Sequence, residues 1–317
     1  QVAFPTIIVL LPNFIPKKVS RKVCKYTGTF LKKSPSDGRT VFYPLFTPFV
    51  MADTANLEIG DQKYSLNVIT GTEQEQAVDI SRLRKESKMI TFDDGYGNTG
   101  SCESSVTFID GDKGILRYRG YDIAELAEKS TFLESAYLLL YGNLPSDVAL
   151  QEFRKRVSDY CELPPEVLTA VNSMPKNAHP MAVLASGLQA LGGAYPEFST
   201  NDREKDLETF DQVAALIIST IRTIAAAHHR NSQDKELPQP DTSKSYCGNF
   251  LSMMFAEDDG SDEIPEPVQN ALDQIFLLHA DHEQNCSTST CRMIASGGAN
   301  PFASLAGGVS ALWGPLH

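Results

Sequence analysis

Hydrophobic and polar positions follow two different periods along the chain. Between residues 51 and 120 they alternate in short runs that predict strands at Lys63–Ile69, Ile90–Phe92, Ser105–Asp110 and Ile115–Arg119. The last two runs flank a glycine-containing turn, the signal of a β-hairpin. This part of the chain is therefore predicted to be a small β-containing region.

After Tyr121 the apolar residues recur every three or four positions, which is the spacing of amphipathic helices. Helices are predicted at Ile123–Ala127, Phe132–Leu140, Val167–Val171, Met181–Leu191 and Phe210–Ala227. Polar breaks at 195–204 and 231–245 read as loops between helices, and no internal repeat is visible. The expected fold class is mainly α, with residues 51–120 as the β-containing region and residues 121–317 as a helical large domain.

A helix is also predicted from about Pro265 to Cys286, and its apolar face continues into residues that carry chemistry. The stripe consists of Val268, Leu272, Ile275, His279, His282 and Cys286. Positions spaced by three and four lie on one helix face, so both histidines are expected to point inward. They are either core histidines with hydrogen-bond partners or members of a functional site.

Metal binding is an alternative for the same segment. Two histidines one turn apart, with Cys286 a turn further on, could supply three ligands to a metallohydrolase. However, the order of residues matches neither His-Glu-x-x-His nor its inverse. The sequence therefore favours no metal here.

The last predicted helix starts at Asn300-Pro301, an N-cap residue followed by proline in the first turn, and stops at Gly314-Pro315. Gly307 and Gly308 lie in its interior, where glycine costs about 1 kcal/mol relative to alanine. They therefore predict close approach of another helix. His317 follows the Gly-Pro turn and is either an exposed terminal residue or a side chain that projects into a cleft.

Charge separates the first 50 residues from the rest. Residues 1–50 contain eight Lys or Arg and one acidic residue, whereas the whole chain has a net charge of −12. An acidic body repels phosphate backbones, so neither nucleic acid nor an anionic membrane is an expected partner. Residues 1–50 are interpreted as a basic leader or as tag-like or upstream-translated sequence, with Met51 as the natural start.

Two further features bear on the location of the protein. The apolar stretch 213–227 contains Arg222 and is judged too short to cross a bilayer. The six cysteines include no C-x-x-C pair and are widely spaced, which is not typical of a disulfide framework. A reducing cytoplasm is the expected location, or the mitochondrial matrix if residues 1–50 are a leader.

Three motifs carry a resemblance to a known family. They are TFIDGDKGILRYRGY at 107–121, LHADHEQNCSTST at 278–290, and ANPF at 299–302 with WGPLH at 313–317. Together they resemble citrate synthases of the bacterial type, in the family's order, from about Met51 to His317. The resemblance implies the multi-helical large domain of that family with a small N-terminal β region.

The resemblance also implies an activity and its residues. The reaction is the condensation of acetyl-CoA with oxaloacetate and water to citrate and CoA, with no cofactor. By family position His317 donates a hydrogen bond to the thioester carbonyl, Ser287 orients that histidine, and His282 binds oxaloacetate. His279 matches a position that some bacterial members link to an allosteric NADH site.

Several family features lie beyond the residues of this sequence. The second histidine motif for oxaloacetate, the aspartate base, the arginines that hold the dicarboxylate and most of the CoA-closing small domain have no counterpart in residues 1–317. These residues are therefore expected to be a truncated part of the enzyme and inactive alone, whereas the full-length protein is expected to be a homodimer or a hexamer of dimers. The alternatives are a 2-methylcitrate synthase, which takes propionyl-CoA, and a non-catalytic scaffold.

Overall fold

In the computed structural model, the described residues are 54–200, 202–256 and 264–315. They belong to two compact units, one with residues 54–103 and one with residues 104–315. The leader predicted at residues 1–50 lies outside the described residues.

The first unit contains a three-stranded antiparallel sheet and a short helix. Its elements are β1 (Thr54–Ile59), β2 (Gln62–Thr70), β3 (Gln76–Val78) and α1 (Leu83–Ser87). The β1–β2 register pairs Leu57 with Tyr64, and β2 confirms the strand predicted at 63–69.

The strand predicted at Ile90–Phe92 is wrong. The segment has no strand partner, and the side chain of Phe92 is 92% exposed. It leads into a turn in which the Asp93 carboxylate accepts hydrogen bonds from the Asn98 backbone N–H (2.9 Å) and the Thr99 hydroxyl (2.5 Å). Apolar residues alone do not make a strand when no neighbouring backbone pairs with them.

The second unit begins with a β-hairpin and continues as helices. Its strands are β4 (Thr107–Asp110), β5 (Ile115–Tyr118) and β6 (Tyr121–Asp122). Its first helices are α2 (Ile123–Lys129), α3 (Phe132–Tyr141), α4 (Asp147–Ser158), α5 (Pro165–Asn172), α6 (Pro180–Ala194) and α7 (Arg203–Glu208). The later helices are α8 (Phe210–Ser232), α9 (Tyr246–Phe255), α10 (Glu266–Leu278), α11 (Cys286–Ser296) and α12 (Pro301–Ala311). The mainly α fold class is confirmed.

Helix α8 forms the centre of the main core and packs against α4, α5, α6 and α9. By length and composition α8 could cross a membrane, so the expectation that this stretch is too short was wrong. However, 78% of its most apolar window is buried. Its Arg222 is buried as well, where it donates a hydrogen bond to the Tyr246 carbonyl (2.8 Å) and lies over the Tyr246 ring. These contacts are those of a helix that packs inside a protein core.

A smaller cluster joins the hairpin to the helices. Its fully or nearly fully buried members are Tyr118, Leu126, Leu138, Leu139, Leu277 and Ala280. They come from β5, α2, α3 and the end of α10, so apolar burial holds the hairpin against the end of α10.

Close helix contacts occur at two glycines, of which Gly307 was expected from the sequence and Gly192 was not. A Cβ at Gly307 would lie 2.1 Å from Ile294 Cδ1 on α11, which confirms close approach at that position. A Cβ at Gly192 on α6 would lie 2.9 Å from the Cβ of Phe302, a fully buried residue of α12. The Cβ of Phe302 cannot rotate away, because it is fixed to the backbone.

We therefore expect Gly192→Ala to be less stable than Gly193→Ala by about 1–3 kcal/mol, the usual cost of an overpacked core position. Gly193 is a matched control, because it lies on the same helix and a Cβ there meets nothing within 4 Å. The gain in helix propensity is similar for both substitutions and cancels in the comparison. Urea unfolding of the two variants measures the difference, and equal midpoints would contradict the Gly192–Phe302 contact.

Candidate active site

The helix predicted from Pro265 to Cys286 is interrupted. Helix α10 ends at Leu278 with His279 as its C-cap, and α11 begins at Cys286 with Asn285 as its N-cap. The Asn285 side chain accepts a hydrogen bond from the Thr288 N–H at 2.9 Å. We call the intervening residues 279–285 the histidine turn.

This break corrects the expectation that both histidines point inward. His279 and His282 are exposed, and it is Ala280 and Asp281 that are buried. The ring of His279 contacts the Ile275 carbonyl through Nδ1 at 2.8 Å and so caps the end of α10. Because helical register is lost after Leu278, a spacing of three and four no longer keeps residues on one face. The geometric basis of the metal alternative is lost with it.

Tyr118 of β5 explains why the helix ends where it does. Its hydroxyl lies 3.3 Å from the Leu278 and Asp281 carbonyls and accepts a hydrogen bond from the Asp281 N–H at 3.2 Å. The side chain is fully buried, and this burial raises the pKa of the phenol. A neutral phenol therefore holds the start of the histidine turn by satisfying backbone groups that α10 leaves unpaired.

Glu283 attaches the other half of the turn to the hairpin. Its Oε1 accepts a hydrogen bond from the Ile109 N–H of β4 at 2.7 Å. The Glu283 backbone has φ +56°, a left-handed conformation that is uncommon for residues other than glycine. The hairpin contacts hold this conformation, so β4 and β5 together shape the turn that carries His282.

Asp281 is the buried carboxylate of the turn. Burial is the main cause that raises its pKa, to about 6, while the Thr107 hydroxyl and the N–H groups of His282 and Glu283 offset part of the effect. The nearby Arg119 side chain is half-buried and donates a hydrogen bond to the Leu139 carbonyl at 2.7 Å. The cost of burying Asp281 makes its ionisation sensitive to the packing of the turn.

Ser287 lies just after the turn, in the first turn of α11. It is fully buried, and its hydroxyl donates a hydrogen bond to Asn285 Oδ1 at 2.8 Å. The N-cap side chain of α11 thus orients Ser287 and binds the Thr288 N–H at the same time.

Helices α11 and α12 pack closely against each other. Cys291 Sγ contacts the Ser304 carbonyl at 3.0 Å, and Gly307 faces Thr290 and Ile294. The missing side chain at Gly307 therefore permits the close packing of the two helices.

Helix α6 packs antiparallel to α12. Gly192 near its C-terminus contacts Phe302 near the N-terminus of α12, and His179 at its N-cap stacks on Trp313 beyond the C-terminus of α12. The ring centroids of His179 and Trp313 are 4.5 Å apart and the planes differ by 8°. The start of α6 therefore lies beside the end of α12.

Two of the predicted site residues lie on or just after the histidine turn, His282 exposed and Ser287 buried. His279 lies on the same turn, where it caps α10. His317 lies outside the described residues, although Trp313, Gly314 and Pro315 lead toward it in the sequence. First-turn N–H groups, such as those of α11, are donors without intrahelical partners and suit carboxylate ligands.

Sequence reasoning missed the residues that shape the site, namely Tyr118, Asp281, Glu283, His179 and Trp313. Asp281 and Glu283 were visible in the motif at 278–290, but helical spacing gave them no role. Tyr118 and Asp281 are separated by 163 positions, so no local signal joins them. Within the described part of the chain, no group of three His, Cys, Asp or Glu residues is placed to hold a metal ion.

Comparison with known proteins agrees with the motifs. Residues 95–317 match the family model described as citrate synthase, C-terminal domain. The citrate synthase of Pyrobaculum aerophilum is 33% identical with a TM-score of 0.63, over 71% of this chain and 56% of that one. The citrate synthase of Thermotoga maritima is 36% identical with a TM-score of 0.60, over 72% of this chain and 57% of that one.

A third structure contains ligands. The citrate synthase of Thermoplasma acidophilum, solved as a ternary complex with carboxymethyl coenzyme A and oxaloacetate, is 27% identical with a TM-score of 0.66. The match covers 72% of this chain and 57% of that one, so this chain spans less than two thirds of the length of these relatives. The family match and the shared helical fold lead to one conclusion: the chain belongs to the citrate synthase family.

Proposed function

We propose that the protein is a citrate synthase that condenses acetyl-CoA with oxaloacetate and water to give citrate and CoA. The observation that carries this proposal is that His282 is exposed on a turn that leads directly to the buried Ser287. The Thermoplasma relative binds carboxymethyl coenzyme A and oxaloacetate, which supports the same two substrate classes for this protein.

The proposed chemistry divides the work between two histidines. A base removes a proton from the acetyl methyl group, and the C–H electron pair moves into the thioester carbonyl. His317 donates a hydrogen bond to the developing oxyanion, while His282 binds oxaloacetate, whose ketone carbon the enol or enolate attacks. Water then cleaves the thioester and CoA leaves as a thiol. Ser287 orients His317 in this scheme.

Release of CoA thiol from acetyl-CoA, measured with and without oxaloacetate, tests the activity. We expect oxaloacetate-dependent release by the full-length protein and none by a polypeptide of residues 1–317. Support for the second expectation comes from the relatives, of which this chain spans 56–57%. Release by residues 1–317 within about tenfold of the full-length rate would contradict it. No release by the full-length protein would instead favour the non-catalytic scaffold.

A 2-methylcitrate synthase is the second candidate, because the motifs are common to both activities. The substrates differ by one methylene, which pockets distinguish by only about 10- to 200-fold. We favour acetyl-CoA, since the sequence of the strands from Leu57 onward resembles that of bacterial-type citrate synthases. The ratio of kcat/KM for acetyl-CoA and propionyl-CoA in the full-length protein decides between them.

We also propose that the full-length protein is a homodimer or an assembly of dimers. Helix α10 supports this, because Val268, Ile275 and Leu278 are exposed by 49%, 39% and 42%. Burying such side chains against a second copy would be favourable. His279 at the end of the same helix is the proposed allosteric position.

We keep the cytoplasm as the proposed location, with the mitochondrial matrix as the alternative. The five cysteines in the described residues are all free thiols, which supports a reducing compartment.

A further inference from the structure

His179 has its ring held from one side by the start of α6. It is the N-cap residue of that helix, with Pro180 in the first turn, and its Nδ1 accepts the Met181 N–H at 3.2 Å. An imidazole nitrogen that accepts a hydrogen bond carries no proton, so the neutral ring has its proton on Nε2. The capping bond thus fixes both the tautomer and the plane of the ring.

Trp313 rests on that plane. Its indole is 53% exposed and stacks on His179 with the ring planes 8° apart. The preceding residue, Leu312, packs against the main core. The end of α12 is therefore held by Leu312 on the core side and by the His179 ring on the outer side, and aromatic stacking is a directional contact.

The stack of His179 on Trp313 lies just before the turn that precedes His317 in the sequence. Trp313 directly precedes Gly314-Pro315, and His317 follows four residues after Trp313 in the sequence. A shift of about 1 Å in a positioned group can lower a rate by about 100-fold. An anchor on Trp313 would limit such shifts.

We propose that His179 is a positioning residue whose ring, oriented by the α6 N-cap, anchors Trp313 and the Gly314-Pro315 turn that leads to His317. The effect of this contact on catalysis rests on the proposed function. The contact between His179 and Trp313 does not, and it is tested without an activity measurement.

Two substitutions separate the stacking ring from the helix cap. His179→Asn keeps a good N-cap acceptor and removes the ring, whereas His179→Phe keeps a ring and removes the acceptor. Trp313 is the only tryptophan of the chain, so its fluorescence and near-ultraviolet circular dichroism report on this site alone. His229→Asn is the control, because His229 contacts Phe255 and not Trp313.

In the 317-residue chain we expect His179→Asn to weaken the near-ultraviolet band of Trp313 and to increase acrylamide quenching by about twofold. We expect His179→Phe and His229→Asn to keep both signals close to wild type, although His179→Phe should have a lower urea midpoint because the cap is lost. If His179→Asn keeps the wild-type near-ultraviolet band and quenching of Trp313, the anchor is overturned. This holds also if His179→Phe loses these two signals while His179→Asn keeps them.

The full-length protein tests the catalytic consequence. We expect His179→Asn to lower kcat by about tenfold or more with the KM for oxaloacetate changed less than twofold, and His179→Phe to restore most of kcat. If His179→Asn fails to fold, kcat is compared between Trp313→Ala, which removes the stacking ring, and Trp313→Phe, which keeps one. A kcat of Trp313→Ala within twofold of wild type would overturn the positioning role of the stack. An inactive wild-type protein would overturn the proposed function, whereas the fluorescence comparison would still support or overturn the anchor.

Discussion

Replacing His317 with glutamine is expected to lower kcat of the full-length protein by about 100- to 1,000-fold, the usual effect of removing one oxyanion donor. The proposed hydrogen bond strengthens as charge develops on the thioester oxygen, so it contributes little to binding in the ground state. The KM for both substrates should therefore change much less than kcat. Steady-state kinetics with both substrates varied measures the two parameters.

Replacing His282 with asparagine is expected to change the KM for oxaloacetate rather than kcat. The lost charge-assisted hydrogen bond to a dianionic substrate should raise the KM for oxaloacetate by about 10- to 100-fold. Because the His282 side chain is exposed, the substitution removes no core packing, and the unfolding midpoint should stay near that of wild type. His229→Asn, which lies outside the histidine turn, controls for a general effect of losing an imidazole. Equal changes in kcat and KM for His317→Gln and His282→Asn would contradict the division of roles.

The second large effect is expected from Asp281→Asn, which removes a buried carboxylate from the histidine turn. The pKa of Asp281 is raised by burial from 3.8 to about 6, so the folded protein binds this proton more tightly than the unfolded chain does. Protonation therefore stabilises the fold at low pH, and this stabilisation is lost as the pH rises through about 6. A pKa difference of this size corresponds to about 3 kcal/mol in total.

Asparagine resembles the protonated acid, so the stability of Asp281→Asn relative to wild type should rise with pH. The expected rise in the free energy of unfolding is about 1 to 1.5 kcal/mol between pH 5 and pH 8, measured by urea unfolding. Asp112→Asn removes an exposed carboxylate from the turn between β4 and β5 and controls for net charge. A stability difference between Asp281→Asn and wild type that does not vary with pH would show that Asp281 is not a buried, titrating group.

Features that depend on neighbouring residues were predictable from the sequence. The hairpin at 107–118 follows from alternating residues around a Gly-containing turn, and the observed register pairs Thr107 with Tyr118. The start of α12 follows from Asn300, whose side chain accepts the Ala303 N–H at 2.9 Å. Such signals act within one turn of backbone, so they hold wherever the segment is placed.

The motifs established the family in the same way, because a run such as LHADHEQN is specific regardless of its conformation. They also assigned His282 and Ser287 to the candidate site, which stays a prediction. Spacing gave the wrong orientation for the histidines, however, because it assumed that the helix continued beyond Leu278.

Only the tertiary structure decided where α10 ends and which side chains of the histidine turn are buried. The decisive hydrogen bonds come from Tyr118 and Ile109, more than 150 positions earlier in the chain. The stacking of His179 on Trp313 likewise depends on the antiparallel packing of α6 and α12. Periodicity reports which residues could share a helix face, whereas the free energy of contacts between distant segments determines whether the helix is there at all.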